Sequence, residues 1–209
     1  MKKVLVLGFD GARADSLVNI RQSGVTNEDG QDIYSGDNPN AKYSAINHIV
    51  DDLGGKMYIA YAGGDKKKNY QAPSTAPGWA SITTGAWGTA NGVIDNPHDG
   101  LNVKNLNKKT FMLEYAESQN LRTTFMASWS AHKETYKKEI DYIKEKNLPM
   151  EYSITEDDYI LHENLLSCVE EGGENEKDII FAIYDWAGHN GHSTGFTNDN
   201  KNYVNAVKK

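Results

Sequence analysis

Short apolar runs that alternate with amphipathic helical stretches restrict this chain more than any other feature of its sequence. Four runs, Val4–Phe9, 57–62, 122–127 and Ile179–Tyr184, are bounded by turn residues and have the length of strands buried on both faces. Between them, residues 41–53 place apolar side chains three and four apart and stop at Gly54-Gly55. Phe111–Gln119 and 133–146 repeat that spacing with charged outer faces. Parallel strands need crossover connections, and the connecting helices cover the sheet. The expected fold class is therefore α/β, a mostly parallel sheet sandwiched between helices.

The whole of 1–209 reads as one domain, since no linker-like tract divides it. An apolar share of 38% with four Trp and twelve Tyr is enough to build a core. The net charge is −7 and the Lys residues are scattered among Glu and Asp, which excludes a nucleic-acid polymer as the expected partner. The single Cys168 has no disulfide partner within the chain and falls in a helix-like run, 160–170, as a buried thiol. The start, MKKVLVLGFDG, is too short in its apolar part for a signal peptide or a membrane span. The expectation is a cytoplasmic protein with no membrane partner, or a secreted one if a leader was removed. Residues 23–40 read as a long surface loop. Residues 202–209 read as the first turns of a helix that stops without a cap, so the domain is expected to continue beyond Lys209. The sequence carries no signal for oligomeric state.

In a parallel sheet, ligands bind beyond the carboxyl ends of the strands, and Asp10 and Asp185 each follow an apolar run directly. Asp10 enters a Gly turn, where it serves either as a ligand or as a cap for the following helix. In APSTAPGWASITTG, Pro73 and Pro77 bracket Ser74 and Thr75 just before a helical stretch ending at Gly85. A hydroxyl there is either an ordinary N-cap or a group facing a phosphate held at the helix amino terminus. In YDWAGHNGHSTGF, Asp185, His189 and His192 lie within eight residues, interleaved with Gly188, Gly191 and Gly195. Carboxylate and imidazole together suit Zn2+ and other divalent metals. The remaining His residues, at 48, 98, 132 and 162, read as surface or cap residues.

Taken in order, the segments around Asp10, Thr75 and His192 resemble the first three motifs of the type I phosphodiesterase and nucleotide pyrophosphatase branch of the alkaline phosphatase superfamily. The wording Pro77-Gly78-Trp79 is similar to bacterial members of that superfamily. The resemblance spans nearly the whole chain and implies an alkaline phosphatase-like fold and a metal-dependent hydrolase of phosphate mono- or diesters. It further implies two divalent ions, Zn2+ or Mn2+, a phosphothreonine intermediate and a small phosphate-ester substrate. Thr75 is then the nucleophile, Asp10 and Thr75 contact one metal, Asp185 with His189 or His192 binds the other, and Gly78 and Trp79 lie against substrate.

The chain departs from the family pattern at three points. The third motif is split, with its first half matched at Asp185 to His189 and its second at Gly191 to Phe196. Gly78 stands where phosphodiesterases often carry Asn, and the later Ser/Thr-Asp-His-Gly motif and a final His have no counterpart before Lys209. The chain on its own is therefore expected to bind metal poorly and to turn over little. A non-catalytic relative that binds metal or phosphate weakly is the alternative. A sulfatase is set aside because Thr75 cannot become formylglycine. A serine hydrolase elbow and a P-loop are both missing from the sequence.

Overall fold

The computed structural model describes residues 3–17, 46, 48–58, 71, 73–97 and 106–208. The chain divides into two compact units, one of Met1–Asp10 with Ala62–Asp185, the other of Gly11–Tyr61 with Trp186–Lys209.

The first unit is built on four strands, β1 (Val4–Phe9), β2 (Thr123–Ala127), β3 (Met150–Ile154) and β4 (Ile179–Tyr184), in the spatial order β1-β4-β2-β3. Every pairing is parallel, with Phe9 opposite Tyr184 and Phe125 opposite both Phe181 and Tyr152. Its helices are α1 (Thr75–Thr84), α2 (Gly88–Asn91), α3 (Phe111–Gln119), α4 (His132–Thr135), α5 (Lys137–Lys146) and α6 (Asp158–Val169). Side chains alternate across a strand, so Ile179, Phe181 and Ile183 face one side of β4 while Ile180 and Ala182 face the other. The first set packs with Ala76 and Ala80 of α1, Met112 and Leu113 of α3, and Phe125 and Ala127. The second packs with Leu161, Leu165 and Cys168 of α6 and with Met126. The sheet of this unit is thus covered on both faces, as the alternation of elements predicts. Cys168 is buried and unpaired, and burial raises its thiol pKa.

Three expectations change. Residues 133–146 form two helices, because the backbone departs from helical geometry at Tyr136, whose side chain is fully buried. β3 was not expected. MEYSI alternates apolar and polar residues, the pattern of an edge strand half in the core, and lacks the continuous apolar run that marks β1 and β4. Met57 and Tyr58 are not in a strand, and 59–62 lie outside the described residues. So do 23–40, His98 and residues 41–45 and 47 of the helix expected over 41–53, of which a π-helical turn, His48–Asp52, is described.

The second unit contains α7 (Trp186–Thr194) packed on α8 (Lys201–Lys208), the helix anticipated near residue 202. Tyr203 of α8 is fully buried, donates its hydroxyl to the Gly11 carbonyl at 2.7 Å and accepts from the Arg13 N–H. Gly191 is required beside Phe196, since a Cβ there would stand 2.1 Å from the ring. Among the described residues no helix is long and apolar enough to cross a membrane.

His132, expected at the surface, is instead fully buried among Phe125, Trp129 and Tyr136, with ring centroids 5.2–5.9 Å away. Neither ring nitrogen has a partner among the described residues, and burial pushes its pKa down to about 3. Two unpaired polar atoms in an aromatic box cost stability that an apolar ring of similar shape does not. His132→Phe is expected to raise the free energy of unfolding by about 1 kcal/mol at neutral pH. Because the folded-state pKa is depressed, the native protein also loses stability as pH falls from 6.5 towards about 3, and the Phe variant lacks that loss. Urea denaturation at two pH values checks both effects, and a less stable Phe variant contradicts them.

Candidate functional site

The carboxyl ends of β1 and β4 carry the chemistry of the first unit. The Asp10 N–H donates to the Tyr184 carbonyl at 2.8 Å, which extends the ladder one residue past Phe9 and sets Asp10 beside Asp185. Both continue the rows Val4, Val6, Gly8 and Ile179, Phe181, Ile183, and so belong to the sheet face that α1 covers.

α1 begins at Thr75 and ends at Gly85, which takes the left-handed conformation (φ 62°) that closes a helix without a Cβ penalty. Ser74 occupies the N-cap position but makes no capping hydrogen bond, and its hydroxyl is buried without a partner among the described residues. Thr75 does not cap either. Its Oγ1 donates to Asp10 Oδ2 at 3.0 Å, while the Nε1–H of Trp79, one turn further on, donates to Asp10 Oδ1 at 2.9 Å. Asp10 is therefore engaged by α1. The cap comes from elsewhere, as Asn96 Oδ1 accepts from the Ala76 N–H at 2.8 Å.

Asp185 is half-buried. Its N–H is shared between Ser128 Oγ at 2.9 Å and Asp158 Oδ1 at 3.1 Å, which fixes the backbone from β2 and α6. Burial first, then the negative charge of Asp10 and a hydrogen bond to it, and lastly Asp158, push the Asp185 carboxyl up from 3.8 to about 7. The two acids therefore share a site that holds one negative charge readily and two only at a cost. Asp10, Thr75 and Asp185 were expected at one rim, and the first unit brings them together there.

No protein family, curated protein or solved structure matches the chain. The site thus has to be read from its own residues.

Gly78 lies on the first turns of α1 with open space beside it, since an added Cβ would meet no atom within 4 Å. Its N–H donates to the Ser74 carbonyl at 3.1 Å as part of the helix. His189 and His192 belong to the second unit, both exposed on α7, where His189 stacks on Trp186 and His192 meets the Phe196 ring edge-on. Among the described residues no group of three or more His, Cys, Asp and Glu gathers to hold a metal ion. Sequence reasoning missed Asn96 and Ser128. Asn96 sits in a Gly/Asn-rich turn twenty residues from the N–H it caps, so only the fold could reveal it. Ser128 directly follows the apolar run of β2 and carried the same end-of-strand signal as the two Asp residues.

Proposed function

We propose that this chain hydrolyses phosphate mono- or diesters by transferring the phosphoryl group to Thr75, in the manner of the alkaline phosphatase superfamily it resembles. The observation that carries the reading is the Thr75 hydroxyl held at the start of α1 with its proton directed at Asp10. A nucleophilic hydroxyl within hydrogen-bond reach of a carboxylate has somewhere to send its proton. The helix amino terminus beside it favours the negative charge of a phosphate.

Thr75 Oγ1 attacks phosphorus, the hydroxyl proton passes to Asp10 Oδ2, the ester P–O bond breaks, and the departing oxygen takes up that proton to leave as the alcohol. Water then cleaves the phosphothreonine, which releases phosphate or, from a diester, a phosphomonoester, and Thr75 regains a proton. The neighbouring carboxylates fit a divalent cation, because a positive charge between Asp10 and Asp185 removes the repulsion that otherwise keeps one of them protonated near neutral pH. Zn2+ or Mn2+ bound there supplies charge neutralisation for the phosphate and for the oxygen of Thr75. Asp10, Asp185 and the Thr75 hydroxyl would hold it.

The test is hydrolysis of aryl phosphate mono- and diesters by the purified chain with added Zn2+ or Mn2+. Slow metal-dependent release of the aryl alcohol, abolished by chelator, is expected, in keeping with the few ligands gathered among the described residues. Binding of metal or phosphate with no release from any ester favours a non-catalytic relative instead.

A further inference from the structure

We infer that Trp79 is a positioning residue whose indole N–H locks the Asp10 carboxylate so that its second oxygen is presented to Thr75. The inference rests on the reading of Thr75 as nucleophile and assigns Trp79 a task other than contact with substrate.

Thr75 and Trp79 are four residues apart on α1 and so share one helix face. Each donates to a different oxygen of the same carboxylate, Thr75 to Oδ2 and Trp79 to Oδ1. The terminal torsion of an Asp side chain is otherwise broad and soft, and its two oxygens interchange freely. Two donors from one rigid turn stop that rotation. Only one of them is the reacting group, so the other sets the orientation in which the proton is received.

The indole is itself held from behind. It lies against Gly8, where an added Cβ would come within 2.3 Å of the ring, and it meets Phe181 edge-on with centroids 5.9 Å apart. Gly8 is thus the residue that lets α1 approach β1 closely enough for the bond to Asp10. With one ring face against β1 and its polar edge spent on Asp10, Trp79 is committed to the protein. Misplacing a reacting group by about an ångström costs on the order of a hundredfold in rate, so loss of this restraint should register in turnover.

The test uses Trp79→Phe in the full chain, which keeps an aromatic ring at this position of α1 and removes the donor. Single-turnover phosphoryl transfer from an aryl phosphate with Mn2+ is expected to slow roughly tenfold or more, with half-saturation by substrate changed less than about twofold. In the metal-free chain, NMR supplies a second reading that needs no activity. Of the four indole N–H signals, one is expected to shift on Asp10→Ala, and it is the signal that Trp79→Phe deletes. An active wild type with an unimpaired Phe variant overturns the inference and leaves Thr75 untouched. An inactive wild type overturns the functional reading and, with it, any catalytic role for Trp79. Indole signals that ignore Asp10→Ala overturn the lock itself.

Discussion

Thr75→Ala is expected to lower turnover of an aryl phosphate by about four orders of magnitude or more while the chain stays folded. Removing an attacking side chain leaves only binding and electrostatic stabilisation to accelerate the reaction. The structural cost is small, because a half-exposed hydroxyl making one hydrogen bond contributes roughly 1 kcal/mol to stability. Asp10 keeps its bond from Trp79, and α1 keeps its cap from Asn96. Thr75→Ser retains the oxygen and is expected to retain part of the rate. Comparison of kcat and kcat/KM for the three proteins, alongside their thermal melts, decides the matter. An Ala variant with wild-type kcat moves the role to Ser74, whose hydroxyl is adjacent and buried without a partner among the described residues.

The contribution of Asp185 to the stability of the metal-free chain is expected to fall as pH rises, and a divalent cation is expected to reverse that trend. The folded state raises the Asp185 carboxyl from 3.8 to about 7, chiefly through burial and then through Asp10, so it favours the protonated form. A raised folded-state pKa contributes stability that is complete below 3.8 and is lost as pH rises through about 7. Buried His132 acts in the opposite direction over this range, so the comparison uses His132→Phe, in which the melting temperature in chelator should be higher at about pH 5 than at about pH 8, and Asp185→Asn added to it should flatten the difference. Mn2+ competes with the shared proton, so its stabilising effect should be larger at the higher pH. A melting temperature that ignores pH in His132→Phe, or a Mn2+ effect that is larger in acid, contradicts the paired-carboxylate account.

The parts of this arrangement that could be read in advance depend on local patterning. Asp10 and Asp185 were legible because each directly follows a continuous apolar run, and in a parallel sheet all such ends converge on one edge. The helix start at Ser74 and Thr75 was legible because Pro73, Pro77 and Gly85 frame it, and the choice of Thr75 rests on the resemblance alone. What escaped depends on tertiary placement. β3 carries only three apolar residues in alternation, since it is an edge strand that buries one face. His132 sits among Lys133, Glu134 and Ser130, a local setting that reads as surface, and it is buried only because Phe125, Trp129 and Tyr136 converge on it from a strand and the flanking turns. The resemblance sets Trp79 against substrate, whereas its bond to Asp10 depends on a glycine seventy-one positions earlier that no periodicity reveals.

The central claim is that Thr75 accepts the phosphoryl group, and its most direct test is to trap the acceptor. The chain is mixed with an excess of aryl phosphate and Mn2+, quenched in acid within the first turnover, digested, and mapped by tandem mass spectrometry. The account predicts one phosphopeptide, modified at Thr75, that appears before the aryl alcohol reaches its steady rate of release and disappears when substrate is exhausted. Aryl alcohol released with no phosphorylated residue at any time point, or a phosphoryl group found on Ser74 with Thr75 unmodified, would contradict it.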